Sequence, residues 1–409
     1  MAVPVPTNHP PPGVAPAGGD GAPRRALLRA AAGLMLAMTT WFSTAAVLPA
    51  LRLRWDLSTN AASALVVVLQ LGFVAGALVS AVVGLADRVD VRRLVAVAAV
   101  GAAVTNVLIV PLDGFAAAIV LRFLTGAFLA GVYPPALKFV ATWFRAGRGL
   151  AMGAMVAALT VGSAAPHLVN GFGGARWEIV MIATSAATVV GGAVFALGVS
   201  PGPYPFPRTQ FSLSLASRAL RDRPVVLASL GYLGHMWELY AMWAWIAAFL
   251  ADAVDRSGSG IDASLLAFTA IAAGAVGSLI AGAAADRVGS GRSARMAMLA
   301  SGSVAAVIGW GGLPLAVVVA LAVVWGVAVV ADSAQFSAIV TERAEQAFVG
   351  TALTVQLAFG FLLTVTTMWL VPLVRDGAGW WWAFAMLAPG PLLGAWAMSR
   401  LAPADGGRW

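Results

Sequence analysis

Long apolar runs follow one another along the chain from about residue 25 almost to its end, separated by short polar segments. Each run has about 20 residues, the length that an α-helix needs to span a bilayer. The apolar positions are continuous and do not alternate with polar ones, so they indicate helices and not the strands of a membrane barrel. The runs predict twelve transmembrane spans, at residues 29–50, 61–83, 93–111, 117–139, 149–170, 178–199, 225–250, 263–285, 295–313, 315–339, 349–373 and 380–400.

A polar stretch over residues 200–223 divides these spans into two sets of six and contains four Pro and four Arg. The first 23 residues hold seven Pro and four Gly, a composition that cannot bury enough apolar surface to fold. The predicted organisation is a disordered cytoplasmic tail (1–23), an N-terminal six-helix half (24–199), a cytoplasmic linker (200–223), a C-terminal six-helix half (224–400) and a cytoplasmic tail (401–409).

Composition excludes several classes of protein. Of the 409 residues, 60% are hydrophobic and only 10% are charged, with a mean hydropathy of +0.88. A soluble domain carries about 25% charged residues, so an integral membrane protein is predicted and a cytosolic enzyme is not. The chain has no Cys and three His, which argues against disulfides, thiolate chemistry and a multi-His metal site. It has no phosphate-binding loop, so ATP-driven transport is not expected. It shows no metal-ligand spacing, catalytic triad or large soluble domain, so neither an enzymatic activity nor a cofactor is expected.

The basic residues are distributed unevenly between alternate loops. If the N-terminus is inside, the inside segments hold 19 of the 25 Lys and Arg residues and the outside segments hold five, with Arg122 alone within a span. This bias fits the positive-inside rule and predicts that both termini are cytoplasmic. The net charge of +8 is therefore explained by membrane topology, and no nucleic-acid partner is expected.

Two similar loops lie at the same place in each half, after the second and the eighth span. The first contains Gly84, Asp87 and Arg88, and the second contains Asp286, Arg287 and Gly289. A repeated six-helix half is typical of a duplicated transporter. With its twelve spans and central linker, the chain resembles the major facilitator superfamily, whose loop between spans two and three carries a Gly, an Asp-Arg pair and trailing basic residues. In the first copy, Asp90 stands where the family usually has Gly.

The fourth span extends the resemblance, because Arg122 is followed by the small residues Gly126 and Gly131. The glycines would also let helices approach closely. The resemblance implies a secondary transporter whose two halves rock about a site at the bilayer midplane, and it implies that the two loops serve conformational switching.

Two stretches are similar to the bacterial nitrate/nitrite and cyanate porters of this superfamily: Leu121–Phe144, with Tyr133-Pro134-Pro135, and Ala331–Ser337. The spans at 61–83 and 263–285 lack the arginines of nitrate porters. This branch therefore implies a small polar or anionic solute and a bacterial inner membrane, without indicating nitrate itself.

Few ionisable residues lie within the spans, and such residues are functional candidates because a charge at mid-membrane costs about 2.5–3.5 kcal/mol. The superfamily places spans 1, 4, 7 and 10 around its central cavity. Four of the five ionisable candidates fall on these spans: Arg122, His235, Glu238 and Asp332. His167, on span 5, is the exception and is expected to make an interfacial hydrogen bond. The candidates for substrate binding or coupling are Arg122, His235, Glu238, Asp332, Gln335, Trp41 and Thr40.

The chemistry of these candidates leaves alternatives open. His235 and Glu238 are three residues apart and share a helix face, so Glu238 is predicted to couple protons under the influence of His235, or to form a neutral pair with it. Arg122 would grip an anion, or would form an ion pair or a conformational contact on span 4. Asp332, with Gln335, would bind solute or a proton, or would lie hydrated at the cytoplasmic mouth.

Span 7 also carries Trp237, Trp243 and Trp245, which would wall the cavity or pack against lipid. The predicted function is proton-coupled movement of a small polar or anionic solute by a monomeric transporter in the lipid bilayer. The alternatives are proton-driven efflux of a lipophilic compound, a transporter-like sensor that moves nothing and, less favoured, a channel.

Overall fold

The computed structural model describes residues 21–145, 147–172, 176–204, 213–345 and 349–401. All regular structure within these ranges is helical. The predicted tails, 1–23 and 401–409, lie almost wholly outside the described residues, as does part of the linker. The N-terminal half contains α1 (Ala22–Ala37), α2 (Ser43–Ala46), α3 (Leu48–Arg54), α4 (Thr59–Val83), α5 (Leu85–Arg88), α6 (Val91–Val107), α7 (Ile109–Leu112), α8 (Phe115–Leu129), α9 (Tyr133–Ala141), α10 (Arg148–Phe172) and α11 (Trp177–Gly198).

A short helix, α12 (Leu213–Ala219), lies in the linker. The C-terminal half contains α13 (Arg223–Ser257), α14 (Ala263–Ala272), α15 (Gly274–Val288), α16 (Ser290–Val307), α17 (Leu315–Ala331), α18 (Ser333–Arg343), α19 (Val349–Ala378), α20 (Trp380–Ala385) and α21 (Pro389–Ser399). Taken in order, these helices correspond to the twelve predicted spans. Among the described residues, eight helical stretches are long and apolar enough to cross a membrane. The other four spans are interrupted (1 and 12) or more polar (7 and 9).

Span 1 is interrupted, and the prediction of one unbroken helix over 29–50 is wrong. Turns separate α1 from α2 between Ala37 and Ser43. A break in a membrane helix leaves backbone carbonyls that need donors from elsewhere in the protein. Here the guanidinium of Arg122, on α8, donates to the carbonyl oxygens of Thr40 and Trp41. The break is therefore stabilised by a residue of span 4.

Large aliphatic side chains cover the outside of the bundle. Val82, Val97 and Met296 are each about 70% exposed, and many others are more than one third exposed. Soluble proteins rarely expose a continuous apolar surface of this kind. The exposed positions fit contact with lipid, and the packed core lies between the helices.

Glycines set the closest helix contacts, as predicted for Gly126 and Gly131. A β-carbon on Gly126 would overlap the carbonyl oxygen of Leu69 on α4, and one on Gly131 would lie 2.8 Å from the β-carbon of Ala98. Such contacts let backbones approach without a side chain between them.

We expect Gly126→Ala to lower the free energy of unfolding by about 1–3 kcal/mol, because the added methyl group must push α4 and α8 apart. Thermal unfolding of the purified protein in detergent measures the change. Gly311→Ala is the matched control, since no atom lies within 4 Å of its added methyl group. Equal stability of the two variants would contradict this role of Gly126.

The two halves meet along two pairs of spans, span 5 with span 8 and span 2 with span 11. Helix α10 packs against α14 and α15, and α4 packs against α19. At one end of the molecule, here called the switch-loop end, lie the two repeated loops. At the opposite end, the latch end, the Asn170 amide donates to Ser264 Oγ (2.9 Å) across the halves and to the Ala46 carbonyl (3.1 Å). Thr59 Oγ1 also donates to Asp376 there (2.9 Å).

An ion pair at the latch end joins Arg54, the last residue of α3, to Asp113, which follows α7. The Arg54 guanidinium and the Trp55 indole N–H both donate to the carboxylate and lower the pKa of Asp113 to about 2. The pair is exposed to solvent and so adds little stability.

Candidate functional site

A cavity of about 60 Å³ lies between the two halves. Helices α9 and α10 wall it on the N-terminal side, and α13, α17, α18 and α19 wall it on the C-terminal side. Its surface is mainly apolar and aromatic, with a few hydroxyl groups. The lining residues are Tyr133, Pro134, Leu137, Val156, Leu159, Tyr232, Met236, Leu239, Tyr240, Trp243, Val330, Ser333, Ser337, Leu357 and Phe361.

Aromatic rings from both halves close the cavity on the side of the latch end. We call this group the aromatic plug; it consists of Trp41, Phe42, Phe73, Tyr240, Trp243 and Phe361. The ring centroids of Phe73 and Phe361 are 4.3 Å apart, and those of Phe42 and Trp243 are 5.8 Å apart. Ring pairs at these distances attract one another beyond simple burial. The plug therefore holds the halves together next to the cavity.

His235 and Asp332 form a buried pair behind the cavity wall. His235 Nδ1 lies 2.7 Å from Asp332 Oδ1, although the ring is not aligned for a linear hydrogen bond. The other ring nitrogen, Nε2, is 3.2 Å from Ser333 Oγ, and Ser333 lines the cavity. The pair is thus one hydroxyl group away from the cavity. The alternative in which Asp332 is hydrated at a mouth is wrong, since the residue is 2% exposed.

Glu238 is buried one turn along the same helix but has different partners. Its Oε1 accepts from the Trp325 indole N–H (2.7 Å), and its Oε2 accepts from Ser301 Oγ (2.8 Å). These bonds join α13 to α16 and α17 within the C-terminal half. The expected hydrogen-bonded pair of His235 and Glu238 is therefore wrong: the two share a helix, but each is bonded to another span. Glu238 does not line the cavity.

Arg122 is 1% exposed and is bonded within the N-terminal half. Its Nη1 donates to the Thr40 carbonyl (2.9 Å), to Ser43 Oγ (3.1 Å) and to Asn106 Oδ1 (3.2 Å), and its Nη2 donates to the Trp41 carbonyl (2.5 Å). No carboxylate among the described residues lies within ion-pair distance. Of the predicted alternatives, the ion pair is therefore wrong, and the bonds fit a conformational contact between spans 1 and 4.

The remaining predicted residues surround this region without lining the cavity. Trp41 belongs to the aromatic plug, and its indole N–H has no partner within the described part of the chain. Thr40 and Gln335 are also buried, each with a side-chain polar atom that has no partner among the described residues. Of the three tryptophans on span 7, Trp243 lines the cavity. Trp237 and Trp245 donate to carbonyls of Met386 and Met368, on spans 12 and 11.

Sequence reasoning did not assign the cavity hydroxyls of Tyr133, Tyr232, Ser333 and Ser337. They lie on spans 4, 7 and 10, which the family resemblance places at the cavity, so the available signal was the span and not the residue type.

The prediction that His167 makes an interfacial hydrogen bond is wrong. It is fully buried, and neither ring nitrogen has a partner, so it makes no interfacial hydrogen bond with the described residues.

The two repeated loops differ in backbone structure. In the first, Gly84 ends α4 with a φ of 68°, a conformation that favours glycine. Asp90 caps α6 by accepting from the Arg92 N–H (3.0 Å), which explains why an Asp stands at this position. In the second, α15 continues to Val288, and Gly289 takes a φ of 88°. Arg88 and Arg287 are exposed, and the side chain of Asp87 lies outside what the structure describes.

Asp286 lies against the first turn of α10. A β-carbon on Gly149 would be 2.7 Å from Asp286 Oδ1 and 2.6 Å from the Gly282 carbonyl oxygen. A carboxylate is favourable at a helix N-terminus, where backbone N–H groups carry partial positive charge. The second loop therefore connects the C-terminal half to the start of an N-terminal span.

Comparison with known proteins identifies the family of this chain. The family model described as Major Facilitator Superfamily matches residues 30–330. No curated protein matches the sequence. Among solved structures, the human organic anion transporter MFSD10 (TETRAN) is similar, with a TM-score of 0.66 and 15% identity over 92% of this chain and 99% of that chain. At that identity the likeness shows the fold, and the nitrate and cyanate branch stays a prediction. The chain belongs to the major facilitator superfamily of multi-pass membrane transporters, as its two repeated loops predict.

Proposed function

We propose that the protein moves an organic solute across the membrane by alternating access, coupled to protons. The observation that carries this proposal is the cavity between the halves, with a titratable pair directly behind its wall. At about 60 Å³ the cavity is smaller than a site for a drug-sized molecule, which has about 300–1,000 Å³. Solute binding therefore requires the halves to move apart.

The cavity wall favours a solute with an apolar or aromatic body. Rings and aliphatic chains dominate the lining, and the hydroxyls of Tyr133, Tyr232 and Ser333 offer a few hydrogen bonds. Arg122, the residue expected to hold a small anion, is enclosed by its bonds to span 1. This supports the alternative of a lipophilic compound more than an inorganic anion. An anionic group on such a compound is supported by the likeness to MFSD10, whose title describes an organic anion transporter.

Coupling is proposed to rest on Glu238 and Asp332, the two buried acids among the described residues of the C-terminal half. Asp332 has His235 as its partner, whereas Glu238 has two neutral donors and no basic partner among the described residues. An unpaired charge at this depth is costly, so Glu238 would hold a proton in this conformation and release it at another stage of the cycle.

The repeated loops are proposed to serve conformational switching and not solute binding. Their distance along the spans from the cavity, and the contact of Asp286 with the start of α10, support this role. Separation of the halves at the switch-loop end would remove that contact.

We further propose that both termini and the 200–223 linker are cytoplasmic, on the strength of the 19 to five distribution of basic residues. A monomer in a bacterial inner membrane is proposed from the family resemblance alone. Reporter fusions after Gly202 and Asp405 are expected to give cytoplasmic signals. In this topology the switch-loop end faces the cytoplasm. A periplasmic signal from either fusion would contradict it.

The solute class is testable with purified protein in proteoliposomes and a panel of labelled solutes. Aromatic carboxylates and sulfonates are expected to be transported, and nitrate and cyanate are not. Trp243→Ala should raise the KM for a transported aromatic solute by about ten-fold, because a large cavity ring is lost. Trp382→Ala is the control, since Trp382 is 53% exposed.

If nitrate or cyanate is transported, and Trp243→Ala leaves that transport unchanged, the small-anion alternative is favoured. Failure to move any solute in the panel, with intact folding, would favour a sensor.

A further inference from the structure

A column of polar side chains continues from the cavity towards the latch end on one face of α10. Val156 and Leu159 line the cavity. Ser163, His167 and Asn170 follow at spacings of four, four and three residues, so they lie on the same face of the helix. Asn170 makes the latch bonds to Ala46 and Ser264. Ser163 and His167 therefore lie between the cavity and the latch.

These two side chains are buried without partners. Both are 0% exposed, and neither the Ser163 hydroxyl nor either nitrogen of His167 has a hydrogen-bond partner among the described residues. Thr44 on α2, which packs against α10, is likewise fully buried with an unpartnered hydroxyl. Buried polar groups are normally bonded, and each exception calls for an explanation.

The hydrogen-bonding groups of the column indicate what would bind there. Ser163, Thr44 and a neutral His167 each have an O–H or N–H to donate. The column thus offers three unused donors and no carboxylate, a combination that suits an anion.

We propose that Ser163, His167 and Thr44 form a second solute-contact site, which binds the anionic group of the solute when the latch opens. This inference rests on the proposed function for the identity of its solute. The site would receive the anionic group before the aromatic plug parts and the apolar body enters the cavity. When the latch is closed, as in this structure, the site is sealed from solvent.

The absence of Cys from the chain allows a direct test by thiol modification. Ser163→Cys introduces a single thiol of similar size. The probes are two methanethiosulfonate reagents of similar size, the anionic sulfonatoethyl and the cationic trimethylammonioethyl compound, added to either face of oriented membrane vesicles. Ala165→Cys is the matched control, because residue 165 is half-buried on the opposite face of the same helix.

Modification of Ser163→Cys is expected from the latch face and not from the switch-loop face. It should accelerate about ten-fold in the additional presence of Asn170→Ala, which removes two latch hydrogen bonds. Relative to a free thiol, the anionic reagent should react about five-fold faster than the cationic one, because the unused donors of the column would hydrogen-bond to its sulfonate. Ala165→Cys should show neither the acceleration nor the preference.

Three results would overturn the proposal: modification from the switch-loop face, no acceleration by Asn170→Ala, or a preference for the cationic reagent. The same measurements on Thr44→Cys cover the case in which Ser163→Cys does not fold. The thiol-modification measurements need no transported solute, so they test this site even if the proposed function is wrong. If transport of organic anions is found, His167→Leu should raise the KM for entry from the latch face and leave entry from the other face unchanged.

Discussion

Arg122→Gln is expected to unfold the N-terminal half at a temperature well below that of the native protein. The guanidinium supplies donors to two backbone carbonyls at the break in span 1 and to Ser43 and Asn106. Without it, buried acceptors lose their partners, each at a cost of about 1–3 kcal/mol, so we expect a total loss of about 3 kcal/mol or more. Thermal unfolding in detergent, followed by intrinsic Trp fluorescence, measures the loss.

Arg122→Lys separates this structural role from anion recognition. A lysine keeps the charge but has no planar fork, so it is expected to destabilise the protein nearly as much as Gln. Arg256→Gln, at an exposed position, is the control and should be neutral. Native stability of Arg122→Gln, together with a loss of solute affinity that Lys partly restores, would contradict the structural role and support direct recognition of an anion.

Glu238→Gln is expected to abolish gradient-driven accumulation of solute in proteoliposomes while retaining solute exchange. The amide oxygen can accept from Trp325, and the amide N–H can donate to a reoriented Ser301 hydroxyl, so the packing of α13 against α16 and α17 is kept. The substitution removes only the titration. Exchange needs no net proton movement and should continue, whereas accumulation does need it.

The control for this variant is Glu345→Gln, which removes an exposed carboxylate paired with Arg218. It should accumulate solute normally. Full accumulation by Glu238→Gln under an imposed pH gradient would refute the coupling role and would leave Asp332 as the remaining buried acid, or a coupling ion other than the proton.

The positions of the spans could be predicted from hydropathy because each span buries itself in lipid largely through its own composition. The break in span 1 could not, since its cause is a set of bonds from Arg122, which lies about 80 residues further along the chain. A sequence pattern contains no information on which distant donor satisfies a given carbonyl. Two other breaks are indicated by the residue type at the break itself: Gly84 at the end of α4, and Pro389 within span 12.

The burial of the candidate residues could be predicted better than their partners. Helical spacing correctly placed His235 and Glu238 on one helix face, but it could not show that Asp332 approaches His235 from another span while Glu238 turns to Trp325. For the same reason, the sequence could not show that the ring nitrogens of His167 lack hydrogen-bond partners among the described residues. Partner choice within a bundle depends on how helices pack, and this differs between proteins with the same pattern of apolar residues.

The most direct test of the account follows protons during transport. Proteoliposomes that contain a pH-sensitive dye, with a gradient of a transported organic anion and no initial pH difference, should show proton movement in step with solute movement. Asp332→Asn and Glu238→Gln should each move solute down its gradient with that proton signal reduced or absent. Solute movement by the native protein without any proton signal, or an undiminished signal in both variants, would contradict coupling through the buried acids of the C-terminal half.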